Sequence, residues 1–172
     1  MTDFFSAFNI AVAYLLFVGI GSQVMKDREA MDPYAIKFFY NVSQIMLCSY
    51  MTIEAVFLAY RSGYTITPCV GYDQENPAVA NLLWLFYISK IWDFWDTIFI
   101  VLGKKWNQLS FLHVYHHAVV LLMAWNWLEY VQTLQHIALL FNTSVHVVMY
   151  YYYFRRVLGW PVWWKRYVTQ FQ

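Results

Sequence analysis

Residues 4–25 read FFSAFNIAVAYLLFVGIGSQVM, 22 positions without a charged side chain. A helix of that length rises about 33 Å, enough to cross the ~30 Å hydrocarbon core of a bilayer. The run is long for a signal-peptide core, and no basic residue precedes it, so it reads as a retained first span. The remainder of the chain agrees. Of its 172 residues only 12% are charged and 22% are aromatic. A typical soluble domain carries about 25% charged residues, which excludes that class. The formal net charge of +1 offers no basic stripe for a nucleic acid. Cys48 and Cys69 form no CxxC pair, so neither a disulfide framework nor a zinc module is indicated.

Working outward from this run, further apolar segments fall near 36–60, 80–102, 108–128 and 133–154, and a sixth begins at about 161. Turn and breaker residues separate them: Asp32-Pro33, Arg61 to Pro77, Gly103-Lys104-Lys105 and Gly159-Trp160-Pro161. The expected fold is an all-α polytopic membrane protein, a single domain over 1–172 with five complete transmembrane helices and the start of a sixth. That sixth run stops at Gln172, too short to cross, so the chain reads as cut off rather than finished. Lys26, Arg28, Lys104, Lys105, Arg155, Arg156, Lys165 and Arg166 fall on one side of this topology. Arg61 stands on the other, with Asp73, Glu75 and Glu129. The basic side is expected to be cytoplasmic. Asn41-Val-Ser43 and Asn142-Thr-Ser144 match the glycosylation pattern inside spans and read as chance matches.

Ionisable groups inside a bilayer are costly and are candidates for function. The third span holds Lys90, Asp93 and Asp96, with Thr97 beside the last. The fourth holds His113, His116 and His117, three of the chain's five histidines; their i, i+3, i+4 spacing places them on one helical face. The fifth holds Asn142 and His146, followed by the tyrosines Tyr150 to Tyr153. Asp93 lies 11 positions before residue 104 and His116 12 after it. Measured from the next turn, near residue 130, His116 and His146 are similarly placed. All three are expected about 15–20 Å from the cytoplasmic turns, the level of one buried site.

Several of these residues have a plain structural reading. Lys90 with Asp93 can be an ion pair that stitches the third span to a neighbour, and Asp96-Thr97 can cap a helix end. His136 reads as structural, and the tyrosine run as an interfacial belt. Three imidazoles on one face of a membrane helix are harder to justify by packing. Two chemistries fit them. Imidazoles at this spacing can chelate zinc or iron, as in histidine-box membrane desaturases and hydroxylases, although those use more histidines than this chain has. Alternatively, a neutral imidazole acts as nucleophile or base in acyl transfer. Burial keeps the ring neutral, a carboxylate orients it, and Lys90, Asn142 and the tyrosines supply donors.

KIWDFWDT (90–97), HVYHH (113–117) and NTSVHVVMYYYY (142–153) together resemble the very-long-chain fatty-acid elongase family, with its pattern KxxExxDT, HxxHH and NxxxHxxMYxYY. TQFQ (169–172) resembles the start of its TxxQ motif. YLLFV (14–18) and MKDRE (25–29) resemble its first span and first cytoplasmic turn. Asp93 stands where the family has Glu. The resemblance implies seven helices around an acyl-chain tunnel in the endoplasmic reticulum membrane. It implies a 3-ketoacyl-CoA synthase that condenses a long-chain acyl-CoA with malonyl-CoA and needs no cofactor or metal. His116 would carry the acyl group. His113, His117, His146, Asp93, Asp96 and Asn142 would support catalysis, and Lys90, Gln108, Tyr150, Tyr153, Thr169 and Gln172 would contact substrate. Cys48, near mid-span without a motif around it, is a weak rival nucleophile. Gln108 ahead of SFLHVYHH, and TPCVGYDQENP (67–77), resemble the microbial and algal branch that elongates polyunsaturated chains. Implied partners are membrane lipid, the ketoreductase, dehydratase and enoyl reductase of the cycle, and a second copy in a homodimer; no nucleic acid is among them. The other readings are the metal-dependent oxygenase and an inactive membrane fragment.

Overall fold

A computed structural model describes residues 3–61, 63, 79–130 and 135–164. Among them are six helical segments and no strand: α1 (Phe4–Lys26), α2 (Tyr34–Arg61), α3 (Ala80–Trp92), α4 (Phe94–Leu102), α5 (Phe111–Glu129) and α6 (Gln135–Val157). The chain divides into two compact units, Met1–Pro33 with Leu83–Tyr130, and Tyr34–Leu82 with Val131–Gln172.

In the first unit, Asp3 is extended and its carboxylate accepts from the Ser6 amide at 3.0 Å. This satisfies one of the amides left open at a helix start. The far end of α1 is closed by Lys104, which adopts φ 52° and donates from Nζ to the carbonyls of Lys26 (2.9 Å) and Arg28 (3.0 Å). A cation there suits the negative end of the helix dipole. The Met31 amide adds a bond to Leu102 O at 2.9 Å, so the ends of α1 and α4 lie side by side. α5 runs antiparallel to α1, with Phe4 against Trp125 (5.2 Å between ring centroids) and Tyr14 against His117 (6.2 Å). Ala7 and Ala11 on α1, and Ala118 and Ala124 on α5, are buried. Small residues on both helices let the backbones approach closely, as membrane helices require.

α3 and α4 form one stretch, 80–102, interrupted at Asp93. The Asp93 amide bonds to Ser89 O at 2.8 Å, and the Asp96 amide to Asp93 O at 3.1 Å. With φ −62° and ψ −16°, Asp93 makes a single tightened, 3₁₀-like turn. α5 starts three residues later than hydropathy suggests. Trp106 and Leu109 are apolar but belong to hydrogen-bonded turns, with Gln108 N bonded to Lys105 O and Leu109 N to Trp106 O. Ser110 then sets the boundary, its hydroxyl accepting from the His113 amide at 3.1 Å.

In the second unit α2 and α6 pack antiparallel. Phe38 meets Phe154 (5.4 Å), Tyr40 meets Tyr150 (5.8 Å), and Thr52 Oγ1 donates to Thr143 Oγ1 at 2.9 Å. Cys48, Met51, Ala55 and Leu139 are buried here, Cys48 as a free thiol; Cys69 lies outside the described residues. α1 and α2 are long and apolar enough to cross a bilayer. Both turn large apolar side chains outward, among them Phe5, Leu16 and Ile20 on α1 and Phe39 and Met46 on α2. α5 and α6, at 19 and 23 residues, have the reach of a span but dilute their hydropathy with His, Asn, Gln and Tyr.

Candidate functional site

The first unit carries most of the polar residues. Lys90 Nζ lies 2.8 Å from Asp93 Oδ2, and both side chains are almost wholly buried. The ammonium also sits 4.6 Å from the centre of the Phe86 ring, a second favourable contact. This ion pair lies at i, i+3 across the tightened turn. Asp96 is half-buried in the first turn of α4, where the helix dipole favours a carboxylate. Thr97 has no exposed surface. Its Oγ1 lies 3.0 Å from Tyr14 OH and 2.9 Å from His113 Nε2, so one hydroxyl joins α1, α4 and α5.

The three imidazoles of α5 form a connected group. The ring centroids of His113 and His117 are 4.5 Å apart, and those of His116 and His117 5.7 Å. Tyr14 stacks on Phe94 at 4.2 Å, and His117 lies 6.3 Å from Phe94. His113 and His117 are half-buried, whereas His116 is exposed. Thr97 opposite His113, and Phe94 opposite His117, define an antiparallel register symmetric about residue 105.

The second unit carries Asn142, His146, Tyr150 and Tyr153. His146 Nδ1 lies 2.7 Å from the Asn142 carbonyl. A carbonyl only accepts, so Nδ1 carries a proton. Tyr150 is fully buried, and its hydroxyl accepts from Gln44 Nε2 at 2.9 Å and lies 3.3 Å from Tyr40 OH. Gln44 Nε2 also reaches Tyr40 OH at 3.0 Å. Tyr150 therefore is no interfacial-belt residue, whereas Tyr151 and Tyr153 do present surface. His136 is buried at the start of α6.

Gln108 is exposed in the turn before α5. Thr169 and Gln172 lie outside the described residues, as do Lys165, Arg166 and residues 67–77. Among the described residues no three His, Cys, Asp or Glu side chains converge as metal ligands would. The residues most easily overlooked in the sequence are Tyr14, Tyr40 and Gln44. Their signal is a hydrogen-bonding side chain within an apolar helix, at i, i+4 for Tyr40 and Gln44.

Buried polar groups inside apolar helices, with three imidazoles on one helix, define a helical membrane-type chain. The chain belongs to the ELO (GNS1/SUR4) family, whose model matches residues 1–172. It is similar to very long chain fatty acid elongase 2 of Mus musculus, 36% identical over 181 residues, which takes in 100% of this chain and 61% of that relative. Very long chain fatty acid elongase 4 of Homo sapiens is 36% identical over 173 residues, 95% of this chain and 55% of the relative. Very long chain fatty acid elongase 5 of Tachysurus fulvidraco is 33% identical over 183 residues, 100% and 60%. The chain thus spans roughly three-fifths of the length of these relatives.

Proposed function

We propose that this chain carries the membrane-embedded reaction centre of a 3-ketoacyl-CoA synthase in fatty-acid elongation, with five spans and its basic turns on the cytoplasmic face of the endoplasmic reticulum. The observation that carries the reading is the group His113, His116 and His117, in the same compact unit as the buried Lys90–Asp93 pair. Family membership supports the same reading. His116, the exposed imidazole of the three, is the acyl carrier. Its ring nitrogen attacks the acyl-CoA thioester carbon; the C–S bond breaks, and CoA leaves with the proton the ring gives up. Malonyl-CoA then loses CO₂, and the released electron pair forms the new C–C bond to the acyl carbon. The N–acyl bond breaks, and the imidazole regains a proton. One proton is consumed overall and no reductant enters.

Asp93 and Asp96 supply negative charge, Asn142 and His146 serve as donor and proton carrier, and His113 and His117 hold and orient protons. Lys90, Gln108, Tyr150, Tyr153, Thr169 and Gln172 contact the acyl-CoA or malonyl-CoA. The substrate is a long-chain, polyunsaturated acyl group. The product passes to a ketoreductase, a dehydratase and an enoyl reductase.

The test is formation of 3-ketoacyl-CoA from an unsaturated acyl-CoA and labelled malonyl-CoA, without reductant, by the full-length protein in detergent. Product that disappears in the folded His116→Ala variant is the expected result. No product across several acyl lengths from folded protein overturns the reading. Stoichiometric iron together with oxygen-dependent turnover would replace it with the histidine-box oxygenase.

A further inference from the structure

The hydroxyl of Thr97 differs from several other helical hydroxyls. Thr143 and Ser144 donate back to the carbonyls of Leu139 and Leu140, and Ser89 donates to Phe86 O. That is the usual fate of such a group in a helix. Thr97 directs its hydroxyl sideways, and among the described residues its partners are Tyr14 OH and His113 Nε2.

Three proton arrangements satisfy the distances; one, in which Thr97 accepts from both Tyr14 OH and His113 Nε2–H, leaves the buried Thr97 proton without an acceptor among the described residues, and two remain. In one, His113 Nε2–H donates to Thr97, Thr97 donates to Tyr14, and the Tyr14 proton has no acceptor among the described residues. Tyr14 is almost fully buried, so that proton would bear its whole desolvation cost. In the other, Tyr14 donates to Thr97 and Thr97 donates to His113 Nε2, which uses every hydroxyl proton. A phenol is also a stronger donor than an aliphatic hydroxyl. The second arrangement places the His113 proton on Nδ1 and engages the lone pair of Nε2.

We infer that Tyr14, Thr97 and His113 form a directed hydrogen-bond relay that locks His113 as the Nδ1–H tautomer, so that His113 is a donor and cannot be the acyl-carrying nucleophile. Tyr14 and Thr97 are positioning residues that act through His113. The inference rests on the proposed condensing reaction for its functional meaning, and on geometry alone for its tautomer. An imidazole with its proton on Nδ1 and its lone pair engaged offers one N–H; the His117 ring is its neighbour, 4.5 Å between centroids. Its role is to donate to a neighbouring nitrogen or to an oxygen that gains charge, as the oriented imidazole of a triad does.

The relay is tested by ¹⁵N NMR of histidine-labelled full-length protein, with His113→Gln assigning the His113 signals by difference. The expected spectrum has Nδ1 of the N–H type and Nε2 of the lone-pair type. Thr97→Val should shift the Nε2 signal and mix the tautomers. Tyr14→Phe, which keeps the ring on Phe94, should do so partly, and Thr97→Ser should preserve the wild-type pattern. A wild-type Nε2–H tautomer, or a spectrum unmoved by Thr97→Val, overturns the relay. The condensation assay supplies the second readout. Thr97→Val and Tyr14→Phe should lower kcat about 10- to 100-fold with little change in KM, the range seen when an imidazole loses its orienting partner, and Thr97→Ser should recover it. Full activity in both variants overturns the positioning role. A wild-type protein with the expected tautomer but no condensation leaves the relay standing and overturns the functional reading instead.

Discussion

Replacing Asp93 with Asn leaves the Lys90 ammonium in the same buried position without its carboxylate partner. At 2.8 Å the Coulomb attraction is about 6 kcal/mol for an effective dielectric near 20. Desolvating the two ions costs several kcal/mol each, so the intact pair contributes little net stability, yet losing either member is expensive. Asp93→Asn and Lys90→Met should each destabilise by about 3–5 kcal/mol. Asp93→Asn belongs at the lower end, because Lys90 keeps its contact with Phe86, 4.6 Å to the ring centre. Lys90→Met with Asp93→Asn removes both charges and should cost less than the two single changes together. The assay is unfolding in mixed micelles under a titration of SDS, run on all four proteins as a double-mutant cycle. Additive costs would refute the argument, as would a single variant within about 1 kcal/mol of wild type. Condensation measured on the same proteins separates two roles. A stable but inactive double variant assigns the charges to the reaction; a stable and active one assigns them to the fold.

Gln44→Leu should cost about 1–3 kcal/mol in the same assay, because it strips the donor shared by Tyr40 and Tyr150 in a dry site. Adding Tyr40→Phe and Tyr150→Phe should recover much of that loss; a triple variant worse than Gln44→Leu would refute the network. The third prediction concerns pH. The bond from Ser6 holds the Asp3 carboxyl below its usual value of 3.8. A depressed carboxyl contributes stability that is present above the unfolded value and is lost as pH falls through the folded one. Exchange of the first amides of α1 should therefore accelerate below about pH 4 relative to amides at the helix centre. Asp3→Asn keeps the cap and should abolish that dependence; an unchanged profile in the variant would refute the assignment.

The helices were legible wherever a long apolar run determined them. Residues 4–25 and 36–60 correspond to α1 and α2 because a predominantly apolar stretch of that length has few alternatives. Boundaries followed different physics. Hydropathy extends the fourth segment back to 108, but Leu109 is apolar and still belongs to a turn, because the hydroxyl of Ser110 closes the helix start. The interruption at Asp93 is invisible to hydropathy, since the apolar pattern continues across it. It coincides with the Lys90–Asp93 ion pair, whose ammonium also lies over the Phe86 ring.

The chemical residues divide in the same way. The spacing of His113, His116 and His117 puts three imidazoles on one face, because helical geometry alone requires it. It does not distinguish among them. The distinction arises from what each ring meets: His113 a hydroxyl of α4, His117 the rings of Tyr14 and Phe94, and His116 open surface. Tyr14 stands 83 residues from Thr97 and has no local pattern of its own. A phenol in an apolar span is a promise of a partner, but only the packing of α1 against α4 names it. Equivalence along a helix is thus a property of sequence spacing, whereas the assignment of donor, acceptor and nucleophile is a property of the neighbours. It is through those neighbours that three similar histidines acquire different chemistry.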